Sequence, residues 1–328
     1  MNTSIDRRQF LHLAGAGAIA TALPLRALGQ ANAPLNFGYQ NTSWGIVGMV
    51  AEDAKTFQQA GADVKFYHFD GGKSTRDAMI AGRVDVGVIG GTPFIIGVAK
   101  GGIVAISVAM YAGKTNAIVA AKGSGIKTVA DLKGKRVGSQ LGSATDYVFQ
   151  NVILPKYGLA KSDITVVNIP HQNQVAAMVS KSIDAFAGVE PFPSVAEIEG
   201  FGTVLVDYAN FDMQPVFLAV NKPVLDDKRD AVVALMRGWL AAVRIVNNQP
   251  DRAIRIVSAR FKAQGYDIKD IVFKKMLEKI DVRPDYVPNM KEYLTQQSRI
   301  LLSEKQIKTL PDWSKALDTS VLAQASKA

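Results

Sequence analysis

Ala78-Met79-Ile80-Ala81-Gly82-Arg83-Val84-Asp85 and Ala177-Met178-Val179-Ser180-Lys181-Ser182-Ile183-Asp184 are the two stretches on which the fold is read. In each, Ala-Met and a branched apolar residue are followed after three residues by a second branched residue and an aspartate. The offset between them is 99 residues. Upstream, Gly38 and Gln40 match Gly138 and Gln140 at an offset of 100. Two matches with nearly the same offset, each at the same place in the order of elements, are the mark of a duplicated supersecondary unit.

Outward from these stretches, short β-branched runs alternate with helical ones. The first series predicts strands over 35–39, 64–69 and 84–89, with helices over 45–60 and 74–81. The second predicts strands over 136–139, 164–169 and 184–189, with helices over 143–157 and 172–180. Strand and helix in turn give a mainly parallel α/β sheet, and two such series give a two-lobed α/β fold with a cleft between the lobes. Strand-like runs at 116–121 and 215–221 read as the connectors. The lobes are therefore expected over 34–120 with 219–328, and over 121–218. The tail, helical over 225–248, 251–262, 269–280 and 290–303, is expected to return to the first lobe.

In open α/β sheets ligands bind beyond the carboxyl ends of the strands. The loops placed there are Gln40-Asn41-Thr42-Ser43-Trp44, Gly90-Gly91-Thr92-Pro93, Gln140 to Thr145 and Glu190-Pro191-Phe192. From them Gln40, Asn41, Thr42, Trp44, Gly91, Thr92, Pro93, Gln140, Ser143, Ala144, Thr145, Glu190 and Phe192 form the candidate ligand site. Amides, hydroxyls, one carboxylate and two aromatic faces suit a small polar solute. Helices starting near Thr92 and Ser143 would aim free N–H groups at an anion, or those residues would simply cap the helices. A carboxylate at the apolar exit of Ala185–Val189 needs a partner, and for Glu190 that is either an amine on the ligand or a group of the chain such as a hinge lysine. Trp44 and Phe192 are expected to stack on the ligand or to belong to core and rim.

The chain has 328 residues, 48% apolar, enough for two domains and a real core. Its net charge of +9 is spread along the sequence without basic stripes, so nucleic acid is not expected as a partner. No cysteine is present, which excludes disulfides, thiolate nucleophiles and cysteine-held metals. His12, His68 and His171 lie far apart, and neither metal nor cofactor is expected. His171 is read as a surface or capping residue. Asp6-Arg7-Arg8-Gln9-Phe10-Leu11-His12, the apolar run Leu13 to Leu25 and small residues at Ala27, Gly29 and Ala31 read as an export signal over 1–33, of twin-arginine type. The expected location is therefore the periplasm, as a soluble protein without a lipid anchor.

These residues resemble the substrate-binding proteins of importers for nitrate, taurine and alkanesulfonates, which have the type II periplasmic-binding fold. Leu35-Asn36-Phe37-Gly38-Tyr39-Gln40 resembles the family's opening strand, and Phe69-Asp70-Gly71-Gly72 with Ala78 to Gly90 resembles its strand and helix after the first lobe's second strand. Gly125-Ile126-Lys127-Thr128-Val129-Ala130-Asp131-Leu132-Lys133-Gly134-Lys135-Arg136-Val137-Gly138 is similar to the entry into the second lobe. The resemblance implies a monomer that clamps its ligand between the lobes and serves an ATP-driven importer, with a permease and an ATPase as partners. It puts Gln40, Thr92, Pro93, Ser143 to Thr145 and Glu190 at the ligand. Sulfonate-binding members often carry an aromatic residue where Ala187-Gly188-Val189 precedes Glu190 here.

The alternatives are an enzyme on the same scaffold, of the kind that makes a pyrimidine precursor, and a receptor that feeds a sensor. The effector domain of a transcription regulator would need a helix-turn-helix where the export signal stands. An enzyme would need a nucleophile, base or cofactor site, and the loops offer no Ser-His-Asp set.

Overall fold

The computed structural model describes residues 33–327. Residues 1–32, which carry all but the last residue of the expected export signal, lie outside the described residues.

Among the described residues ten strands form two five-stranded sheets. The first has the order β2-β1-β3-β10-β4 and the second β7-β6-β8-β5-β9. Their members are β1 (Leu35–Gln40), β2 (Val64–Phe69), β3 (Val86–Gly90), β4 (Ile103–Tyr111) and β10 (Pro215–Asn221), then β5 (Asn116–Ala121), β6 (Arg136–Ser139), β7 (Thr165–Asn168), β8 (Ala185–Val189) and β9 (Gly202–Asp207). The two orders are the same pattern. In each sheet the first three strands are parallel, and one antiparallel strand separates them from the edge. The inserted strand is in both cases the one that comes after a passage of the chain from the other sheet. The stretches read as connectors, 116–121 and 215–221, are thus interior strands, and the passages themselves are 112–115 and 208–214.

The duplicated stretches have a physical cause. Asp85 pairs with the start of β1, its N–H on Asn36 O at 2.8 Å and its Oδ2 accepting from Asn36 N at 2.8 Å. Asp184 does the same for β6, with its N–H on Arg136 O and its Oδ2 accepting from Arg136 N, both at 2.8 Å. Each aspartate fixes the register of two neighbouring strands. The helix ends before them also match. The N–H of Arg83 closes on Ala78 O and that of Ser182 on Ala177 O, each at 2.9 Å. The chain reverses through a left-handed residue, Gly82 (φ 69°) in one copy and Lys181 (φ 60°) in the other.

The helix expected over 45–60 is broken. Lys55 takes φ 54° and divides it into Ile46–Asp53 and Thr56–Gln59. The helix over 143–157 runs as Ala144–Val148, a π turn at Phe149–Ile153 and Leu154–Lys156. The tail is helical as expected, its longest piece Arg229–Asn248. Trp239 from that helix packs its ring 6.0 Å from Phe37 of β1, and Phe37 meets Phe57 at 5.1 Å. The tail also reaches the second sheet, because Phe192 packs against Phe261 and Tyr266 at 6.4 Å each.

At Gly238 the helix Arg229–Asn248 lies tight against the backbone of Thr56 and Phe57. A Cβ there would stand 2.7 Å from Phe57 Cα and 2.7 Å from Thr56 O. Backbone cannot yield as a side chain can, so Gly238→Val is expected to lower the unfolding free energy by about 2 kcal/mol, read by urea denaturation.

Candidate functional site

The carboxyl ends of β1, β3, β6 and β8 meet at the seam between the sheets. Parallel registers Phe37↔Val86 and Val137↔Ala185 set the neighbouring turns level within each sheet. Contacts then cross from one sheet to the other. Ser43 N donates to Glu190 O at 2.9 Å, and Trp44 Nε1 donates to Thr115 Oγ1 at 3.3 Å on the first passage. A Cβ on Gly90 would lie 2.6 Å from the Trp44 ring and 3.0 Å from Ala144 Cβ, so only glycine lets these turns approach.

Every sequence-predicted site residue is found at or beside this seam, but they divide by what their polar atoms do. Several are satisfied within the chain. Thr42 Oγ1 accepts from Trp44 N at 3.4 Å. Ser143 Oγ accepts from Asp146 N at 3.0 Å, a helix cap. Thr145 Oγ1 donates to Asn116 Oδ1 at 2.8 Å, and Ala144 O accepts from Gln214 Nε2 at 3.1 Å on the second passage. Gln140 reaches across, its Nε2 lying 2.5 Å from where a Cβ of Gly71 would be, while its Oε1 accepts from His171 N at 3.3 Å. Glu190 is 1% exposed, and its carboxylate accepts from Ser194 N at 3.2 Å, Ser194 Oγ at 2.8 Å and the Lys279 ammonium. Of the two partners foreseen for Glu190, the structure supplies the lysine. Phe192 and Trp44 are buried in packing contacts with the chain itself.

Others are left unpaired. Among the described residues, nine buried side-chain polar atoms lack a well-formed hydrogen bond; four of them, Gln40 Oε1, Asn41 Oδ1, Ser43 Oγ and Thr92 Oγ1, gather at the turns of the first lobe, and two more, His171 Nδ1 and Gln174 Oε1, belong to side chains that interact with each other in the second. Buried polar atoms are normally paired, so their concentration here marks the place where something else is meant to bind. Thr92 does not cap its helix: Gly90 is the N-cap of Gly91–Ala99, and Thr92 lies one residue further in with a free hydroxyl. Gly91 and Pro93 are buried beside it, Pro93 Cγ 3.4 Å from a Cβ on Gly72.

His171 is neither on the surface nor a cap. It is 3% exposed, the first residue of the turn His171–Asn173 after Pro170. Burial, only partly offset by a hydrogen bond with Gln174, pushes its imidazole down to about 4, so it is neutral at physiological pH. Asp212, on the second passage, receives Tyr293 OH at 2.6 Å, Gln214 N at 2.7 Å and Gln297 Nε2 at 3.1 Å, and burial holds its carboxyl above the usual range. Sequence reasoning passed over Gln174, although it lies 99 residues after Thr75, the partner of Gln40. It also passed over Lys279, for which the sequence carries no signal.

At the outer end of the seam a groove of about 570 Å³ opens between Phe69, Lys73 and Asp77 of the first lobe and Gln140, Leu141 and Asn168 of the second. Among the described residues no group of histidine and carboxylate side chains has the arrangement of a metal site.

A protein of Escherichia coli (strain K12) named for binding aliphatic sulfonates is 26% identical over 252 residues, covering 76% of this chain and 79% of the relative. The taurine-binding periplasmic protein of the same strain is 32% identical over 163 residues, 48% of each chain. The alkanesulfonate-binding protein SsuA from Xanthomonas axonopodis pv. citri, solved with MOPS bound, superposes with a TM-score of 0.76 at 20% identity, covering 87% of this chain and 98% of that one. The two-lobed fold with its cleft is thereby that of the periplasmic binding proteins. The model of the NMT1-like family matches residues 29–260, and the chain belongs to that family.

Proposed function

We propose that this protein is the solute-binding component of an ABC importer, and that it holds a small organic anion or zwitterion between its lobes by closing about the two passages 112–115 and 208–214. The observation that carries this reading is the set of unpartnered buried atoms at Gln40, Asn41, Ser43 and Thr92 at the seam between the lobes. A solute held there and touching both lobes favours the closed state by its differential affinity. The sheets exchange only two passages of chain, which suits rotation about a hinge.

The relatives are named as binding proteins, which supports binding rather than catalysis. Permease and ATPase subunits are the partners this role requires, with a monomer as the working unit. Export into the periplasm, by a twin-arginine signal and without a lipid anchor, fits the sequence of residues 1–33. No helix among the described residues is long and apolar enough to cross a membrane.

A thermal-shift screen over sulfonates, nitrate, amino-sulfonates, carboxylates and pyrimidines tests the reading, with solution scattering on each hit. A solute at 100 times its Kd is expected to add about 2.7 kcal/mol to stability and to reduce the radius of gyration. Stabilisation with no change in scattering at saturation would remove the closure mechanism.

A further inference from the structure

The chemistry of the unpaired atoms narrows the solute. Gln40 is 1% exposed, and both hydrogens of its Nε2 are spent, one on Thr75 Oγ1 at 2.8 Å and one on Val88 O. A backbone carbonyl only accepts, so the amide cannot be turned over without setting two acceptors face to face. Thr75 in turn donates its hydroxyl hydrogen to Gly71 O at 3.2 Å, leaving nothing for Gln40 Oε1. This oxygen is therefore a fixed acceptor. In the second lobe the counterpart of Val88 at the offset of 99, Ala187 O, accepts from Gln174 Nε2 at 3.1 Å, while the rest of the Gln174 amide interacts with the buried His171 side chain.

Positive charge is missing from the same place. The turns 40–45, 90–93, 139–145 and 189–194 contain no lysine or arginine. Around them Lys279 is paired with Glu190, and Lys73 and Arg76 with Asp77, while Lys114 on the first passage points to solvent. A bare oxyanion would bring an acceptor to the locked Gln40 acceptor and find no cation within these turns. A solute with N–H groups would satisfy the Gln40 oxygen, and its remaining polar atoms could receive the hydroxyls of Ser43 and Thr92.

Resting on the reading of the seam as the solute site, we propose that the unpaired amide oxygen of Gln40 selects a solute bearing N–H donors, an amine, amide or amidine, against bare oxyanions, with Thr92 as a specificity-determining hydroxyl. Such a hydroxyl is kept unpaired at a cost in stability, because a buried polar atom without a partner is unfavourable.

Thr92→Val supplies a readout that a structural role would not give. Removing an unpaired hydroxyl at nearly constant volume is expected to raise the melting temperature of the protein without solute by roughly 2–4 °C. A fall in melting temperature would show that the hydroxyl is bonded within the chain and overturn the proposal. In parallel, matched probes are compared by thermal shift and scattering on the full chain: taurine with ethanesulfonate, β-alanine with propanoate, benzamidine with benzoate, and nitrate. The N–H member of at least one pair is expected to stabilise and compact the protein, and Thr92→Val to weaken that binding at least tenfold. Binding by ethanesulfonate, propanoate, benzoate or nitrate as tight as by their N–H partners overturns this inference and leaves the receptor reading intact. No compaction by any probe counts against the receptor reading itself, while the Thr92→Val melting temperature still decides whether the hydroxyl is free.

Discussion

Lys279→Met is expected to lower the unfolding free energy by about 3–5 kcal/mol, although Lys279 lies outside the turns that form the seam. Glu190 is 1% exposed, and its carboxylate depends on two groups of Ser194 and on this one ammonium. Taking the cation away leaves a buried charge with hydrogen bonds but no counter-charge. The opposite deletion is milder. In Glu190→Gln the lysine, whose side chain is 24% exposed, can turn to water. The double variant Glu190→Gln with Lys279→Met is therefore expected to recover most of the loss, since it removes both charges. Urea denaturation of the three variants measures the coupling, and a loss below about 1 kcal/mol in Lys279→Met alone would show that the pair contributes little to the folded state. Two further pairs, Lys275 with Glu197 and Lys269 with Glu199, join the same segments. Both are half-exposed and are expected to add little.

Acid is expected to destabilise this protein through His171 between pH 6.5 and about 4. The folded chain holds the imidazole neutral until the pH is near 4, whereas the unfolded chain protonates it near 6.5. In that window the unfolded state binds more protons, so stability is full above pH 6.5 and is lost as the pH falls toward the folded value. A shift of this size corresponds to about 3 kcal/mol for a fully buried group. His171→Gln is expected to be less sensitive to acid by that amount, measured as the difference between wild-type and variant unfolding free energies at about pH 4 and about pH 7. Comparing the two proteins cancels the carboxylates, such as Asp184 under Arg136, that titrate in both. Equal acid sensitivity in the two proteins would show that His171 meets water in solution and that the seam opens at its second-lobe edge.

Much of the fold was legible because it is written twice. The period of alternating strands and helices, the glycine and glutamine at the ends of β1 and β6, and the aspartates Asp85 and Asp184 are local features with local causes. The aspartates recur because each clips a neighbouring strand. The passages between sheets were misplaced because 116–121 and 215–221 are apolar β-branched strands whatever they pair with. Composition cannot say that such a strand enters the interior of a sheet.

The candidate site was legible as a set of loops and less so as a set of atoms. Gln40 and Thr92 were singled out and carry unpaired groups, while Ser143 and Thr145, of the same chemical type and equally buried, are satisfied by Asp146 and Asn116. Nothing in a hydroxyl's own sequence neighbourhood distinguishes these outcomes, because the partner is brought by another element.

The order of the elements, the duplication and the identity of the turns at the strand ends come from the sequence by itself, since periodicity and chain connectivity fix them. Which of those turns' polar atoms remain free was decided by the tertiary structure. Lys279, 89 residues beyond Glu190, pairs with the one carboxylate, and Thr75 and Val88 lock the Gln40 amide. Hydrogen bonding and charge pairing act over a few ångströms in space, and only the folded chain sets those distances.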